Sequence, residues 1–481
     1  MTVHDTSNTE TLDAAIALVV DLDGTLCRTD TLHEALLRLV AMDPAKLFRL
    51  PGWLAEGRAG LKAHLADLGV VDPEELPLNE AVLETLRTAR EAGRRTALVS
   101  AADHRQVTAV AEATGLFDEA YGSAGGRNLK GAEKAAFLTQ HYGPKMFDYI
   151  GDSKADLPVW ESARQAITVQ ASPALRQAAT GANANIAHID PPARRGKAML
   201  KALRPHQWSK NVLLFLPMLA GHEITKFPAV LLGFIAFCLT ASAVYVINDL
   251  IDLPSDRAHP RKCKRPFASG ALSASTGAVM AGLLLLGALI LGLSTGNPAF
   301  IAMLGIYLIS TFAYSLWLKR KLLIDVLMLA GLYTVRIVAG GAAAAVTLSP
   351  WLLGFSMFLF LALAAVKRQA ELTDQMKTGR ASSGRAYEVD DLPVLRGIAL
   401  SAGNAAVLVL ALYISSDVVQ SLYSRPELIW LICPLLLFWV MRMVMKTHRG
   451  EMTDDPIVYA ATDRTSIAVI AVCLVVALLS I

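Results

Sequence analysis

Apolar residues are arranged in two different ways along this 481-residue chain. Through residues 1 to 210 they come in short runs broken by charged stretches, as in a water-soluble domain. From Asn211 onward long apolar runs dominate, such as Ala229 to Ile247 and Gly397 to Ile414, and runs of that length suit lipid. Within the first part, Ala15 to Asp23 reads AIALVVDLD, a short β-prone run without helical period that ends in two carboxylates and a Gly-Thr turn. Such a run predicts a buried strand that delivers acids to its carboxyl end. Arg95 to Ser100, Met146 to Ile150 and Gln165 to Gln170 repeat the pattern, and helical stretches such as Glu80 to Ala92 and Lys134 to Gln140 separate them. The alternation predicts an α/β domain with a parallel sheet, its sites lying beyond the carboxyl ends of the strands. A mainly helical stretch from about residue 30 to 77 interrupts the alternation and reads as a cap over such a site.

The second part divides into nine apolar segments, roughly 211 to 222, 227 to 248, 271 to 293, 298 to 317, 323 to 345, 350 to 366, 397 to 415, 427 to 445 and 465 to 481. Most have the length a helix needs to cross ~30 Å of hydrocarbon; the first is short. The expected organisation is a soluble domain over 1–190, a linker and interfacial segment over 191–210, and an all-α membrane bundle over 211–481. If the soluble domain lies in the cytoplasm, the loops 249–270, 318–322, 367–396 and 446–464 lie there too. Those loops, with Arg442 at one edge, hold 18 Lys or Arg, and the opposite loops hold two, Lys226 and Arg425. That asymmetry agrees with a multi-pass protein of the cytoplasmic membrane.

Composition supports the same division. A hydrophobic share of 54% against 18% charged is the average of two unlike parts. A net charge of +3 gives no support to nucleic-acid binding. Cys27, Cys238, Cys263, Cys433 and Cys473 form no C-x-x-C pair, so neither a disulfide scaffold nor a zinc site is indicated. Met1 to Thr11 is polar and lacks the pattern of a signal peptide, so the first domain is expected to stay in the cytoplasm.

Four groups of residues in the soluble part fall in a recognisable order. They are Asp21-Leu-Asp23-Gly-Thr25, Ser100 closing a strand, Lys134 opening a helix, and Gly151-Asp152-Ser-Lys-Ala-Asp156 closing another strand. This order resembles the haloacid dehalogenase (HAD) phosphatase superfamily. The resemblance implies that Asp21 is the nucleophile toward phosphorus and that Asp23 protonates the leaving oxygen. It implies that Asp21, Asp152 and Asp156 hold Mg²⁺, and that Ser100 and Lys134 bind the phosphoryl oxygens. Lys130, four residues earlier, is an alternative to Lys134. Cation and lysine are needed because a doubly charged phosphate ester repels a carboxylate nucleophile.

In the membrane part, Asn248-Asp249-Leu-Ile-Asp252-Leu-Pro-Ser-Asp256 spaces carboxylates by three and four, which places them on one helical side. Clustered carboxylates at a membrane helix end repel one another unless a divalent metal intervenes, and Arg257, Arg261, Lys262, Lys264 and Arg265 add a cationic rim. The motif resembles that of the UbiA superfamily of intramembrane transferases, over about Arg204 to Ile481. The resemblance implies that Asn248, Asp249, Asp252 and Asp256 serve a diphosphate through Mg²⁺ while the bundle admits a long prenyl chain. This sequence departs from the family at its second acidic motif, where Lys367-Arg368-Gln-Ala-Glu371 stands instead. Together with R-P-x-Q-W-x-K-N (Arg204 to Asn211), H-P-x-K-x-x-R-P (His259 to Pro266), Tyr314-Ser315 with Lys319, and the run around Arg336, the departure resembles the polyprenyl-phosphate phosphoribosyltransferase branch.

That branch transfers phosphoribose from 5-phosphoribosyl diphosphate (PRPP) to a polyprenyl phosphate such as decaprenyl phosphate. Lys210, Arg265, Lys319, Arg336, Lys367 and Arg368 are the candidate cations for these phosphates; Lys319, with Arg320 and Lys321, reads equally as a topological anchor. The expected whole is sequential: the membrane part makes a phosphoribosyl lipid, and the soluble part removes its 5-phosphate to supply pentose for a glycan. Two alternatives stand beside it, an aromatic prenyltransferase using prenyl diphosphate and a soluble domain that only regulates.

Overall fold

The computed structural model describes residues 16–69, 71–125, 127–189, 195–378, 385–417, 419, 423–452 and 455–480. Two compact units make up the chain, one comprising Met1–Leu203 with Tyr245–Ala281 and the other Arg204–Val244 with Gly282–Ile481. The polar start of the chain, Met1 to Thr11, and residues 191–194 at the start of the expected linker lie outside the described residues.

The first unit is built on a parallel six-stranded sheet, β1 (Ala17–Val20), β2 (Thr96–Asp103), β3 (Glu119–Ser123), β4 (Phe147–Gly151), β5 (Ala166–Val169) and β6 (Ile186–Ile189), in the order β3-β2-β1-β4-β5-β6. Every residue of β1 is buried because both faces are covered: Leu18 and Val20 pack into one cluster with Leu86 and Val107, and Ala17 and Val19 into another with Leu138 and Trp160. A strand covered on both sides needs an unbroken apolar run, which is why β1, β2, β4 and β5 were legible in sequence. β3 and β6 were not expected. They are the two edge strands, only partly buried, and their sequences, EAYGS and IAHI, lack that signal.

The stretch between β1 and the helix Glu80–Glu91 is helical, as expected for a cap. Its first helix, Thr31–Met42, starts where the Asp30 carboxylate accepts hydrogen bonds from the amides of Leu32 and His33. Leu39, Leu61 and Leu65 form a small core of their own with Leu36 and Trp53.

The second unit is helical. Counting whole helices irrespective of unit, seven described helices are long and apolar enough to cross a membrane, from Ile224–Ile251 to Pro426–His448. An eighth span results if Pro456–Thr462 and Arg464–Ser480, which meet at 82°, count as one. This is a multi-pass membrane protein. The first of the nine expected segments, 211–222, is not a span: it forms the end of a 3-10 stretch, Pro205–Phe215, and a five-residue helix, Leu216–Ala220. Twelve residues rise only ~18 Å as a helix, well short of the hydrocarbon thickness.

Trp160 is fully buried beneath β4, and its indole N–H has no partner among the described residues. We expect Trp160→Ala to destabilise the first unit by about 3–5 kcal/mol and Trp160→Phe by less than half of that. Phenylalanine retains most of the packing and removes a buried donor. Proteolysis of the full chain across a urea series, scored for cleavage within residues 16–189, measures both.

Candidate functional sites

The sheet's order reverses around β1, which pairs with both β2 and β4. Val20 lies opposite Leu98 on one side and Ile150 on the other, so the residues just beyond them, Asp21, Ser100 and Asp152, emerge at one crevice. They line a cleft of about 550 Å³ together with Asp23, Lys134 and Asp156. Lys134 and Asp21 are 2.9 Å apart, and Asp156 lies 3.9 Å from the same ammonium. Lys134 also donates to the Tyr149 hydroxyl at 2.8 Å, and Tyr149 donates to Asp156 at 2.9 Å. Of the two candidate lysines, then, Lys134 is the one paired with Asp21, and Lys130 lines the wider cleft.

Burial, and after it the crowding of acids, sets the electrostatics. Burial pushes the Asp21 carboxyl up, although Lys134 pulls the other way. Burial and the neighbouring Asp21 push Asp152 up to about 8. Burial opposes the charge on Lys134, yet Asp21 and Asp156 hold it above the ordinary lysine range. Oxygens of Asp21, Asp152 and Asp156 all lie within 4.8 Å of one another. Oxygen donors that repel one another in this way fit a hard divalent cation, whose charge would offset that repulsion. Asp23 stands apart from this group: its carboxylate accepts from the Thr31 amide at 2.7 Å, and burial with Asp30 nearby pushes it up to about 7. An acid tuned to that value carries a proton much of the time at neutral pH, as a leaving-group donor must.

Sequence reasoning missed Lys62, which reaches from the cap into the cleft and donates to the carbonyl of Ala101. Its position in an exposed amphipathic helix carries no signal of that reach. Tyr149 was also missed; as an aromatic in a buried strand it reads as core.

The acidic motif of the membrane part begins in the helix Phe227–Ile251 and continues, after a break at Asp252, in the short helix Leu253–Ala258. Asn248 is half-buried at the end of the first helix. Arg265 bridges two of the acids, with its guanidinium 3.1 Å from Asp249 and 2.6 Å from Asp256. The other oxygen of Asp256 is buried and has no partner among the described residues. An orphaned carboxylate oxygen beside a second acid fits a cation ligand. Asp252 is more exposed and is not joined to this pair by Arg265; its carbonyl caps the next turn.

In the second unit the candidate cations differ in what neutralises them. Arg368 is buried and paired with Asp325 and Glu371, and it donates to Tyr314 at 2.8 Å. Lys210 pairs with Asp455, and Lys367 lies 3.9 Å from that same carboxylate. Burial pulls Lys210 down despite Asp455, whereas Asp455 is lowered against its own burial by Lys210 and Lys367. Arg336 is buried in the helix Ile324–Ala344 among the rings of Phe237, Tyr307 and Tyr333, and it donates to Asn211 at 2.9 Å and Tyr307 at 3.1 Å. Among the described residues no carboxylate pairs with it. Lys319 sits in the 3-10 turn Leu318–Arg320. Asp455 caps Pro456–Thr462 as well as joining the two lysines; Asp463 is taken up by Arg442, and Asp454 lies outside the described residues.

Gly24 adopts φ +79°, and a Cβ there would come within 2.1 Å of the Asp152 carboxylate. Gly24→Ala is expected to displace Asp152 and weaken Mg²⁺ binding by at least ~10-fold, read by calorimetric titration of the full chain, with the fold retained by circular dichroism.

Comparison with known proteins gives this geometry a family. Residues 212–479 match the UbiA prenyltransferase family, and residues 18–161 match the haloacid dehalogenase-like hydrolases. A protein of Sinorhizobium fredii named Uncharacterized protein y4nM is 39% identical over 466 residues, covering 94% of this chain and 89% of the relative. Nodulation protein NoeC of Azorhizobium caulinodans is 36% identical, covering 56% of this chain and 89% of the relative. A decaprenyl-phosphate phosphoribosyltransferase of Corynebacterium glutamicum is 36% identical, covering 46% of this chain and 69% of the relative. The chain belongs to the UbiA prenyltransferase family and carries a haloacid dehalogenase-like hydrolase domain before its membrane part.

Proposed function

We propose that the membrane part transfers 5-phosphoribose from PRPP to a polyprenyl phosphate and that the hydrolase domain then removes the 5-phosphate. The observation that carries the first half is Arg336, a buried guanidinium in a membrane helix whose hydrogen-bond partners among the described residues are all neutral. Such a charge is costly unless an anion joins it. Lys210 and Lys367, sharing one carboxylate where the family's second acidic motif would stand, add a second cationic point. The similarity to a decaprenyl-phosphate phosphoribosyltransferase supports the identity of the two substrates.

In the first reaction an ionised oxygen of the lipid phosphate attacks the anomeric carbon of PRPP, and the bond from that carbon to the diphosphate breaks. The acceptor is already an anion at neutral pH, so no general base is required; orientation and cations suffice. Asn248, Asp249, Asp252 and Asp256 would hold Mg²⁺ on the diphosphate, with Arg265 beside them, and Arg336, Lys210 and Lys367 would hold the lipid phosphate. Lys319 and Arg368 are secondary here, Arg368 because Asp325 and Glu371 already neutralise it.

In the second reaction Asp21 attacks the 5-phosphate phosphorus and the ribose oxygen leaves with a proton from Asp23. Water then hydrolyses the aspartyl phosphate, with Asp23 taking back a proton. Ser100 and Lys134 orient the phosphoryl oxygens, and Mg²⁺ held by Asp21, Asp152 and Asp156 would supply charge neutralisation. Covalent linkage of the two activities in one cytoplasm-facing chain raises the effective concentration of the phosphoribosyl lipid at the hydrolase. The product, a polyprenyl-phosphoryl-ribose, is a pentose donor for glycan synthesis.

Purified protein in bilayer vesicles, given labelled PRPP, decaprenyl phosphate and Mg²⁺, is expected to yield a ribosyl lipid without the 5-phosphate. Asp21→Asn is expected to accumulate the phosphorylated lipid, and Asp249→Asn to lower transfer by at least ~100-fold. An identical dephosphorylated product from Asp21→Asn overturns the second step. Alkylation of an aromatic acceptor by a prenyl diphosphate, with no label entering lipid from PRPP, overturns the first.

A further inference from the structure

The cleft around Asp21 is not walled by the hydrolase-like sequence alone. Ser273 and Ser275, which belong to the UbiA match by sequence, line it within the first compact unit. Three contacts inside that unit hold them there. The Glu34 carboxylate of the cap helix receives both terminal nitrogens of Arg257, at 3.0 and 2.8 Å, and both side chains are buried. Arg257 also donates from Nε to the carbonyl of Ala268 at 3.2 Å, so the same guanidinium grips the turn that leads to Ser273. Gly270 in that turn has φ +69°, and a Cβ there would lie 2.8 Å from Arg28 Cβ and 3.2 Å from Pro77. Arg28 lines the cleft and follows the Asp21 motif by a few residues.

A forked, desolvated Arg-carboxylate pair fixes orientation more tightly than a surface ion pair, and breaking one leaves a buried charge without its partner. Its placement here joins the cap that covers the cleft to the turn that walls it. The two wall residues carry hydroxyls, which both donate and accept, beside a phosphoryl site already supplied by Ser100 and Lys134. Ser273 also accepts from the Thr276 amide and so caps the following helix, whereas Ser275 is exposed and shares one hydrogen bond with Ser273.

We infer that Ser273 and Ser275 form the specificity wall of the hydrolase cleft, selecting a phosphorylated sugar through its hydroxyls, and that Glu34 and Arg257 are the positioning residues that hold this wall. The inference rests on the hydrolase reading of Asp21 and deepens it. It is independent of what the membrane part transfers. A substrate that hydrogen-bonds the wall is distinguished from one that cannot, because a polar group left without its partner in the bound complex costs affinity.

The full-length protein is assayed with Mg²⁺ on two probes, ribose 5-phosphate and p-nitrophenyl phosphate, which share the phosphate and differ in hydroxyls. Ser275→Ala is expected to lower the ratio of kcat/KM for ribose 5-phosphate over the aryl ester by ~5–10-fold, carried by KM for the sugar. Glu34→Ala is expected to shift the ratio in the same direction, and Glu34→Gln to restore part of it through the remaining hydrogen bonds. Equal losses on both probes, or no change in the ratio for either residue, overturn the wall. Where Glu34→Ala fails to fold, Ser275→Ala decides alone. Absence of any Asp21-dependent hydrolysis in the parent overturns the hydrolase reading instead, and with it this one.

Discussion

A charge taken out of water has to be answered, and most of this chain's chemistry follows from how each buried charge is answered. Asp21, Asp152 and Asp156 crowd one crevice, and Lys134 answers part of their charge. What remains negative is the capacity to hold a divalent cation. Among the described basic residues of the second unit the excess has the opposite sign. Asp325 and Glu371 answer Arg368, one carboxylate serves both Lys210 and Lys367, and Arg336 has only neutral hydrogen-bond partners among the described residues. The first arrangement fits a cation and the second an anion, which is what the proposed reactions require.

Topology determines which charges meet. Because β1 lies between β2 and β4, residues 21, 100 and 152 leave the sheet side by side, although more than fifty residues separate each from the next. The left-handed Gly24 then turns the chain away beneath the Asp152 carboxylate, leaving no room for a side chain between them. Parallel pairing of β1 with β2 and β4 fixes these acids in register with Ser100.

A different kind of constraint holds the segment after the acidic motif. Its last acid, Asp256, is bridged to Asp249 by Arg265, and the adjacent Arg257 is gripped by Glu34. Neighbouring residues of one short helix thus belong to two polar networks, one at each proposed site. Any rearrangement of that helix would be felt by both.

Much of this was legible beforehand. Unbroken apolar runs announced four of the six strands, and the ordered motifs named Asp21, Asp23, Ser100, Asp152 and Asp156, because the resemblance depends on residue type and order, which a sequence states directly. Long apolar segments announced the membrane helices for the same reason, since bilayer thickness acts on length and composition alone. The edge strands β3 and β6 and the short first segment escaped, as their conformations come from neighbours rather than from local pattern. Tertiary structure alone decided which cation meets which carboxylate: Lys134 rather than Lys130 at Asp21, Arg368 neutralised while Arg336 is not, and Glu34 with Arg257 across 223 residues of chain. Electrostatic pairing falls steeply with distance and with exposure to water. It is therefore set by spatial proximity in the fold, which the order of residues along a chain does not contain.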